Sequence, residues 1–261
     1  MDAVRAGEAA AGSGRADSAA VPKDLSVAVV IPVLGDGDAV ERLLNAMAGW
    51  TVPPAEIVVA SGAPDAALAR LCRERGCRYV EAPANRGAQL DLGARASTAP
   101  VLWFLHADAA VPPDALAVLA RAIARGFESG CFRFAFQGEP TWYKRLIAWL
   151  VGARVKAGGT PYGDQALFAT RAAYDACGGF PHQPLFEEVR LVKRLRRRGT
   201  FRVLPASVGV STRRWERDGW ARRTLENRWL ALRYALGTPP ERLAAAYGPL
   251  NETREPKRRD A

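Results

Sequence analysis

A chain of 261 residues, 49% hydrophobic and 25% charged, can bury a full core and is too ordinary in composition for a fibrous or wholly disordered protein. Its four cysteines form no CxxC pair, which argues against a disulfide framework and structural zinc and favours reduced thiols in a cytosol. The net charge of +10 is local, because Arg190 to Trp229 carries 13 Lys/Arg against 3 Asp/Glu and the remainder is neutral.

Residues 1–23 are rich in Ala, Gly and Ser without apolar periodicity and read as a disordered tail, with no signal-peptide pattern. The first strand is expected at Leu25–Val33, running into Leu34-Gly35-Asp36. Val40, Leu43, Leu44 and Met47 then recur at helical spacing, with Asp38 as the cap. A second strand is expected at Glu56–Ala60, a helix around Leu68, Leu71 and Cys72, and a short strand at Arg78–Glu81. Asn85-Arg86-Gly87 opens another helix, to about Ala96. The apolar run Val101–Leu105 follows and ends in His106-Ala107-Asp108, with Pro112-Pro113 closing the segment. Such a run suits a strand buried on both faces. Strand and helix thus alternate four times, which predicts an α/β fold with a mostly parallel central sheet flanked by helices, in one domain over residues 24–248.

Beyond Asp108 the rhythm changes. A helix is expected at Pro113–Arg125 and a strand at Cys131–Phe136. Tyr143–Val155 reads as an amphipathic helix with Trp142 and Trp149, either core-facing or touching a membrane. Gly158–Gly163 is a loop, Ala166–Ala169 a strand and Cys177–Pro181 a loop leading to Phe186-Glu187-Glu188. A basic helix at Val189–Arg198, short strands at Phe201–Leu204 and Val208–Ser211, and helices at Gly219–Leu236 and Pro240–Tyr247 complete the expected domain. Residues 249–261 read as a polar tail, and no apolar run approaches the ~20 residues of a membrane span.

Five segments in this order resemble the family 2 inverting glycosyltransferases of the GT-A fold. They are Ile31-Pro32-Val33-Leu34 with Asp36, Phe104-Leu105-His106-Ala107-Asp108, Gly163-Asp164-Gln165, Gly178–Pro181 with Pro184–Glu188, and Arg213-Arg214-Trp215-Glu216. The chain is most similar to the short radical-SAM/selenodomain-associated subgroup, over Leu25 to Tyr247. The resemblance implies that Pro32 and Asp36 face the nucleotide of a sugar donor. It implies that Asp108 is the second carboxylate of a DxD motif, holding Mg2+ or Mn2+ on the diphosphate, with His106 in the place of the first. Glu188 takes the position of the base that deprotonates the acceptor, with Glu187 as its neighbour. Arg214-Trp215 resembles the RW of Q-x-x-R-W, near acceptor and diphosphate, with Ser211 in place of the Gln. Asp164-Gln165 resembles the acceptor-side loop. Ala60 and Gly35 depart from the Asp and Asn common at their positions, and Arg190 from an acidic one.

The residue types suit that chemistry on their own terms. One carboxylate at a strand end can share a divalent cation with a diphosphate, because Mg2+ takes most of its shell from phosphates and water. Two carboxylates opening a helix are kept ionised by its positive end, and adjacent ones point about 100° apart. Arg86 and Gln89, one turn apart, are candidates to address the donor. Each also has a plain structural reading: Asp108 as a helix cap, His106 as a hydrogen-bonded core residue, the Glu pair as helix-end charge, and Trp215 as core.

The expected partners are a nucleotide-diphosphate sugar and an unknown acceptor, lipid-linked ones included, with peripheral membrane contact through the basic stretch and no nucleic acid. The expected location is cytoplasmic or at the membrane periphery. The rival readings are a degenerate, non-catalytic GT-A protein, a basic protein binding anionic surfaces, and a pyrophosphorylase-like enzyme, which Pro32–Asp38 disfavours by having no Lys.

Overall fold

The computed structural model describes residues 25–199 and 201–247, so the tails expected at 1–23 and 249–261 lie outside the described residues. Seven strands form one sheet in the order β3-β2-β1-β4-β6-β5-β7. The first block is parallel: β1 (Val27–Val33) pairs with β2 (Glu56–Ser61) and β4 (Val101–Phe104), and β2 pairs with β3 (Arg78–Glu81). β6 (Phe168–Thr170) runs antiparallel between β4 and β5 (Ser129–Phe136), and β7 (Phe201–Val210) is parallel to β5. The α/β architecture expected from the sequence, a mostly parallel central sheet flanked by helices, is the one observed.

Both faces of the sheet are covered, which is why its central strands carry no polar alternation. Val27, Val29, Ile31 and Val33 face a core shared with α1 (Gly37–Met47), α2 (Ala66–Glu74) and α4 (Ala115–Ala124). Ala28 and Val30 face the other way, toward α3 (Arg86–Arg95), α6 (Arg171–Ala176) and α7 (Glu187–Arg197). A Cβ at Gly93 would lie 2.6 Å from Val30 Cγ1, so glycine lets α3 approach β1 this closely. α5 (Trp142–Lys156) leans on β5, and α8 (Arg213–Asp218), α9 (Trp220–Ala235) and α10 (Pro240–Tyr247) cover the carboxyl side. A small separate cluster of Leu185, Phe186, Leu230 and Leu243 ties that cover to the loop before α7.

The chain runs from β1 outward to β3 and then returns to β4 on the opposite side of β1. The reversal puts a crevice at the carboxyl ends of β1 and β4, where open α/β sheets bind ligands. Asp36 follows one strand and Asp108 the other.

Several local expectations need correction. The cap of α1 is Asp36, whose Oδ1 accepts from Ala39 N–H at 3.2 Å, and not Asp38. Two short final strands are one ten-residue strand, β7, with a register irregularity opposite Cys131/Arg133 that absorbs Pro205. Proline is tolerated at such a bulge. α6 was not anticipated, because a six-residue helix is too short to show periodicity. α5 is not core-facing, since only Lys144 and Val155 of its 15 residues are buried.

The basic surplus is partly structural. Arg194 donates to Cys177 O at 2.7 Å, Arg196 to Val155 O at 2.9 Å, and Arg198 pairs with Glu128 at 3.0 Å. Among the described residues no helix is long and apolar enough to cross a membrane. The cysteines are free and buried, and burial raises their thiols above the ordinary range.

Candidate active site

The crevice begins with two carboxylates. Asp36 is fixed by its own capping bond and Asp108 by its backbone, whose carbonyl accepts from Gln137 Nε2 at 2.7 Å. Arg213, at the start of α8, lies between them with Nη2 3.4 Å from Asp36 Oδ2 and 3.5 Å from Asp108 Oδ2. A guanidinium thus occupies the mouth where the two strand ends diverge.

His106, two residues before Asp108, is half-buried, with its Nε2 shielded from solvent and in no hydrogen bond. Burial, and then the nearby Arg86 charge, hold its imidazole down at about 4. It is therefore neutral at physiological pH, with a lone pair available. A Cβ at Gly163 would lie 2.7 Å from this Nε2, so the loop passes over the ring only as glycine. Gly163→Ala is expected to cost about 1–3 kcal/mol, as overpacking beside a rigid ring does. Urea unfolding at unchanged stability would show that the ring yields freely.

The acid pair opens α7. Phe186 before it has φ 60° and ψ 24°, a left-handed conformation uncommon for a large residue, and offers no side-chain cap. Both carboxylates of the pair lie in the first turn, at the positive end of α7. Glu187, fully buried, is held by Arg86 through Nε to Oε1 and through Nη2 to Oε2 at 3.2 Å. Arg86 is placed for this by Asn85, which caps α3 by accepting from Ala88 N–H at 3.1 Å.

Glu188 points elsewhere. Its Oε1 accepts from Gly163 N–H at 2.6 Å, while Oε2 is buried with no hydrogen-bond partner. Burial first, and the Glu187 charge second, push its carboxyl up to about 8. One member of the pair is ion-paired structure. The other keeps its proton near neutral pH, because burial outweighs the positive helix end that was expected to hold both carboxylates ionised.

Glu188, His106, Asp108 and Arg86 open on one cavity of about 490 Å³. Its far wall comes from α5, α8 and α9. Asp164 lines it too, with burial raising its carboxyl to about 6. Arg214 reaches the wall with its guanidinium 4.5 Å from the Tyr247 ring centroid, and Trp215 packs its ring on Phe136 at 5.0 Å.

Three other sequence candidates stand behind the site. Gln165 is buried and donates to Phe132 O at 3.2 Å. Gln89 is buried and donates to Val33 O at 2.6 Å and Ala60 O at 2.9 Å, so it ties the ends of β1 and β2 together. Pro32 is buried within β1, two residues past the last β1–β4 register pair at Val30↔Phe104, where its missing N–H costs no ladder bond. Two contributors went unrecognised in the sequence, Arg213 and the backbone N–H of Gly163. The glycine's place between a loop and Asp164 was a usable signal; for Arg213 there was none beyond its basic charge.

The family model described as Glycosyl transferase family 2 matches residues 28–181. The chain belongs to this family. No curated protein matches the sequence. Among solved structures, this family 2 glycosyltransferase is similar to Staphylococcus aureus TarS 1–349, at 14% identity and TM-score 0.57 over 72% of this chain and 61% of that one. The match thus spans about three fifths of TarS 1–349. It is similar to glucosyl-3-phosphoglycerate synthase from Mycobacterium tuberculosis, solved with Mn2+, uridine-diphosphate and glucosyl-3-phosphoglycerate, at 14% identity and TM-score 0.52 over 72% and 71% of the chains. It is also similar to the mannosyltransferase PcManGT from Pyrobaculum calidifontis with GDP-Man and Mn2+, at 17% identity and TM-score 0.56 over 90% and 72%. At such identities the likeness is one of fold.

Proposed function

We propose that this family 2 glycosyltransferase is an inverting enzyme that moves a sugar from a nucleotide-diphosphate donor to an acceptor hydroxyl, with Glu188 as general base. The observation that carries this reading is Glu188 itself: one oxygen pinned by Gly163 N–H, the other buried without a partner, beside the strand ends where a diphosphate would lie. Glu188 Oε2 takes the acceptor proton as the acceptor oxygen bonds to the anomeric carbon. The bond from that carbon to the phosphate oxygen breaks, and its electron pair leaves with the nucleotide diphosphate.

Among the described residues no three His, Cys, Asp or Glu side chains converge as a metal cage. Asp108 with the bare Nε2 of His106 nevertheless fits a cation that draws most of its ligands from phosphate and water. These two residues would hold Mg2+ or Mn2+, whose contribution when bound is to neutralise the departing diphosphate. Arg214 and Trp215 flank the same cavity and serve diphosphate or acceptor, and Asp164 borders the acceptor side. His106 preceding a single carboxylate is the feature that supports placing the chain in the radical-SAM/selenodomain-associated subgroup.

The test is thermal unfolding with uridine and guanosine diphosphates, with and without Mn2+. A ligand at 100 times its dissociation constant adds about 2.7 kcal/mol. Asp108→Asn should lose the Mn2+-dependent part of that gain and keep its unliganded stability. Equal gains in wild type and variant would remove Asp108 from the cation.

A second reading is favoured by Arg213, which already bridges Asp36 and Asp108. In it the guanidinium supplies the positive charge and the donor site works without a cation. Undiminished nucleotide binding in EDTA, lost in Arg213→Ala, would select this second reading.

A further inference from the structure

α5 and α9 both line the cavity, the first through Ile147, Leu150 and Val151 and the second through Leu230 and Ala231. Their outer surfaces are unlike the rest of the protein. On α5 the exposed large apolar residues are Trp142, Leu146, Trp149 and Leu150, at i, i+4, i+7 and i+8. On α9 they are Leu225, Trp229, Leu232 and Leu236, the last at its C-cap, at i, i+4, i+7 and i+11. Each is therefore a single helical stripe turned to solvent. Trp142 is 76% exposed, Trp149 67% and Trp229 59%, so these rings are not core residues grazing the surface.

The charge on the same two helices is one-sided. α5 contains Lys144, Arg145, Arg154 and Lys156 and no acid; α9 contains Arg222, Arg223, Arg228 and Arg233 against Glu226 alone. Lys144 and Arg223 are buried, and the six basic residues that remain, against one acidic, decide between occupants. A second copy would bring the same positive helices together, whereas an anionic lipid surface complements them. Tryptophan and leucine stripes edged by Arg and Lys are the composition of helices that lie in a membrane interface.

We infer that the α5–α9 face docks on an anionic membrane surface, with Trp142, Leu146, Trp149, Leu225, Trp229 and Leu232 as its apolar contacts. The docked surface then meets the cavity at Leu150, which is 37% exposed and also lines its wall. An acceptor held in the lipid would enter between two apolar helices and present its hydroxyl toward Glu188. That substrate consequence rests on the transfer reading above; the docking itself does not.

The test is flotation of the full chain with vesicles of phosphatidylglycerol and phosphatidylcholine, against vesicles of phosphatidylcholine alone. Binding is expected on the anionic vesicles at low salt and should fall as salt rises, since the Debye length shrinks from about 10 Å at 0.1 M to about 3 Å at 1 M. The double variant Trp149→Ser/Trp229→Ser should bind about tenfold more weakly or worse, because interfacial affinity scales with apolar area inserted. Its thermal stabilisation by a nucleotide diphosphate with Mn2+ should be unchanged, which separates lost docking from a lost fold. No flotation at low salt overturns the inference, as does flotation that the double variant leaves intact. A wild-type dimer by light scattering that the variant turns into monomer would also overturn it, assigning the face to a second copy. Vesicle binding in a protein that binds no nucleotide would leave the docking standing and sink the transfer reading instead.

Discussion

Glu188→Gln is expected to lower turnover about 10²–10⁴-fold, the range for loss of a positioned base, while leaving nucleotide binding nearly unchanged. The amide oxygen can still accept from Gly163 N–H, so the loop keeps its anchor. What is lost is the acceptor lone pair that carries away a proton. The pH profile identifies the base independently. With the Glu188 carboxyl raised to about 8, kcat/KM should climb with pH through that value; a base at Asp164 would place the rise near 6. A rise near 6 that persists in the Glu188 variant at near-normal turnover would transfer the role to Asp164.

The same substitution has an opposite effect on stability. Glu188 is raised from 4.5 to about 8 in the folded chain, which therefore keeps a proton that the unfolded chain loses above pH 4.5. Its contribution is full below 4.5 and is lost as pH rises toward 8. Glutamine has no proton to lose. The variant's melting temperature should thus exceed that of the wild type at pH 8, and the gap should narrow toward pH 5. An inactive but more stable variant is the outcome expected where a site is strained for function.

Arg86→Met is expected to destabilise the protein by about 3–5 kcal/mol, because it strands a buried carboxylate. Glu187 has no exposed surface and is ion-paired with Arg86. The lower end of that range is expected, since Arg86 is itself partly exposed and the penalty falls mainly on Glu187. For a chain of this size the loss corresponds to roughly 10 °C in Tm. Adding Glu187→Gln should recover more than half of it, because the uncompensated charge is then gone. Additive losses in the double variant would mean that the two side chains are energetically independent.

The parts of the fold that were legible in the sequence are those set by local pattern. Val101–Leu105 is apolar on both faces because β4 is covered on both, and β3 was read at its observed bounds, Arg78–Glu81. What local pattern could not carry was long-range pairing. β7 passes through Pro205 as one strand because β5 pairs with both halves of it, and nothing near Pro205 records that partner. Glu187 and Glu188 illustrate the same limit within the site. They are identical residues side by side, and only Arg86, 101 positions earlier than Glu187, makes one an ion-pair partner and leaves the other open. The outer stripe of α5 was visible as amphipathicity, but its direction was not, because a helical stripe reads alike whether it faces core or solvent.

The position of β4 also bears on how the chain is made. β1 is already available when β4 leaves the ribosome, but its other neighbour, β6, begins at Phe168, 64 residues after Phe104. At about 5–20 residues per second of synthesis, that edge stays bare for roughly 3–13 s. The waiting strand is Val-Leu-Trp-Phe, all of it buried once the sheet is complete. An open apolar edge is a template for pairing with another nascent chain. Its length of four residues limits how firmly it can do so.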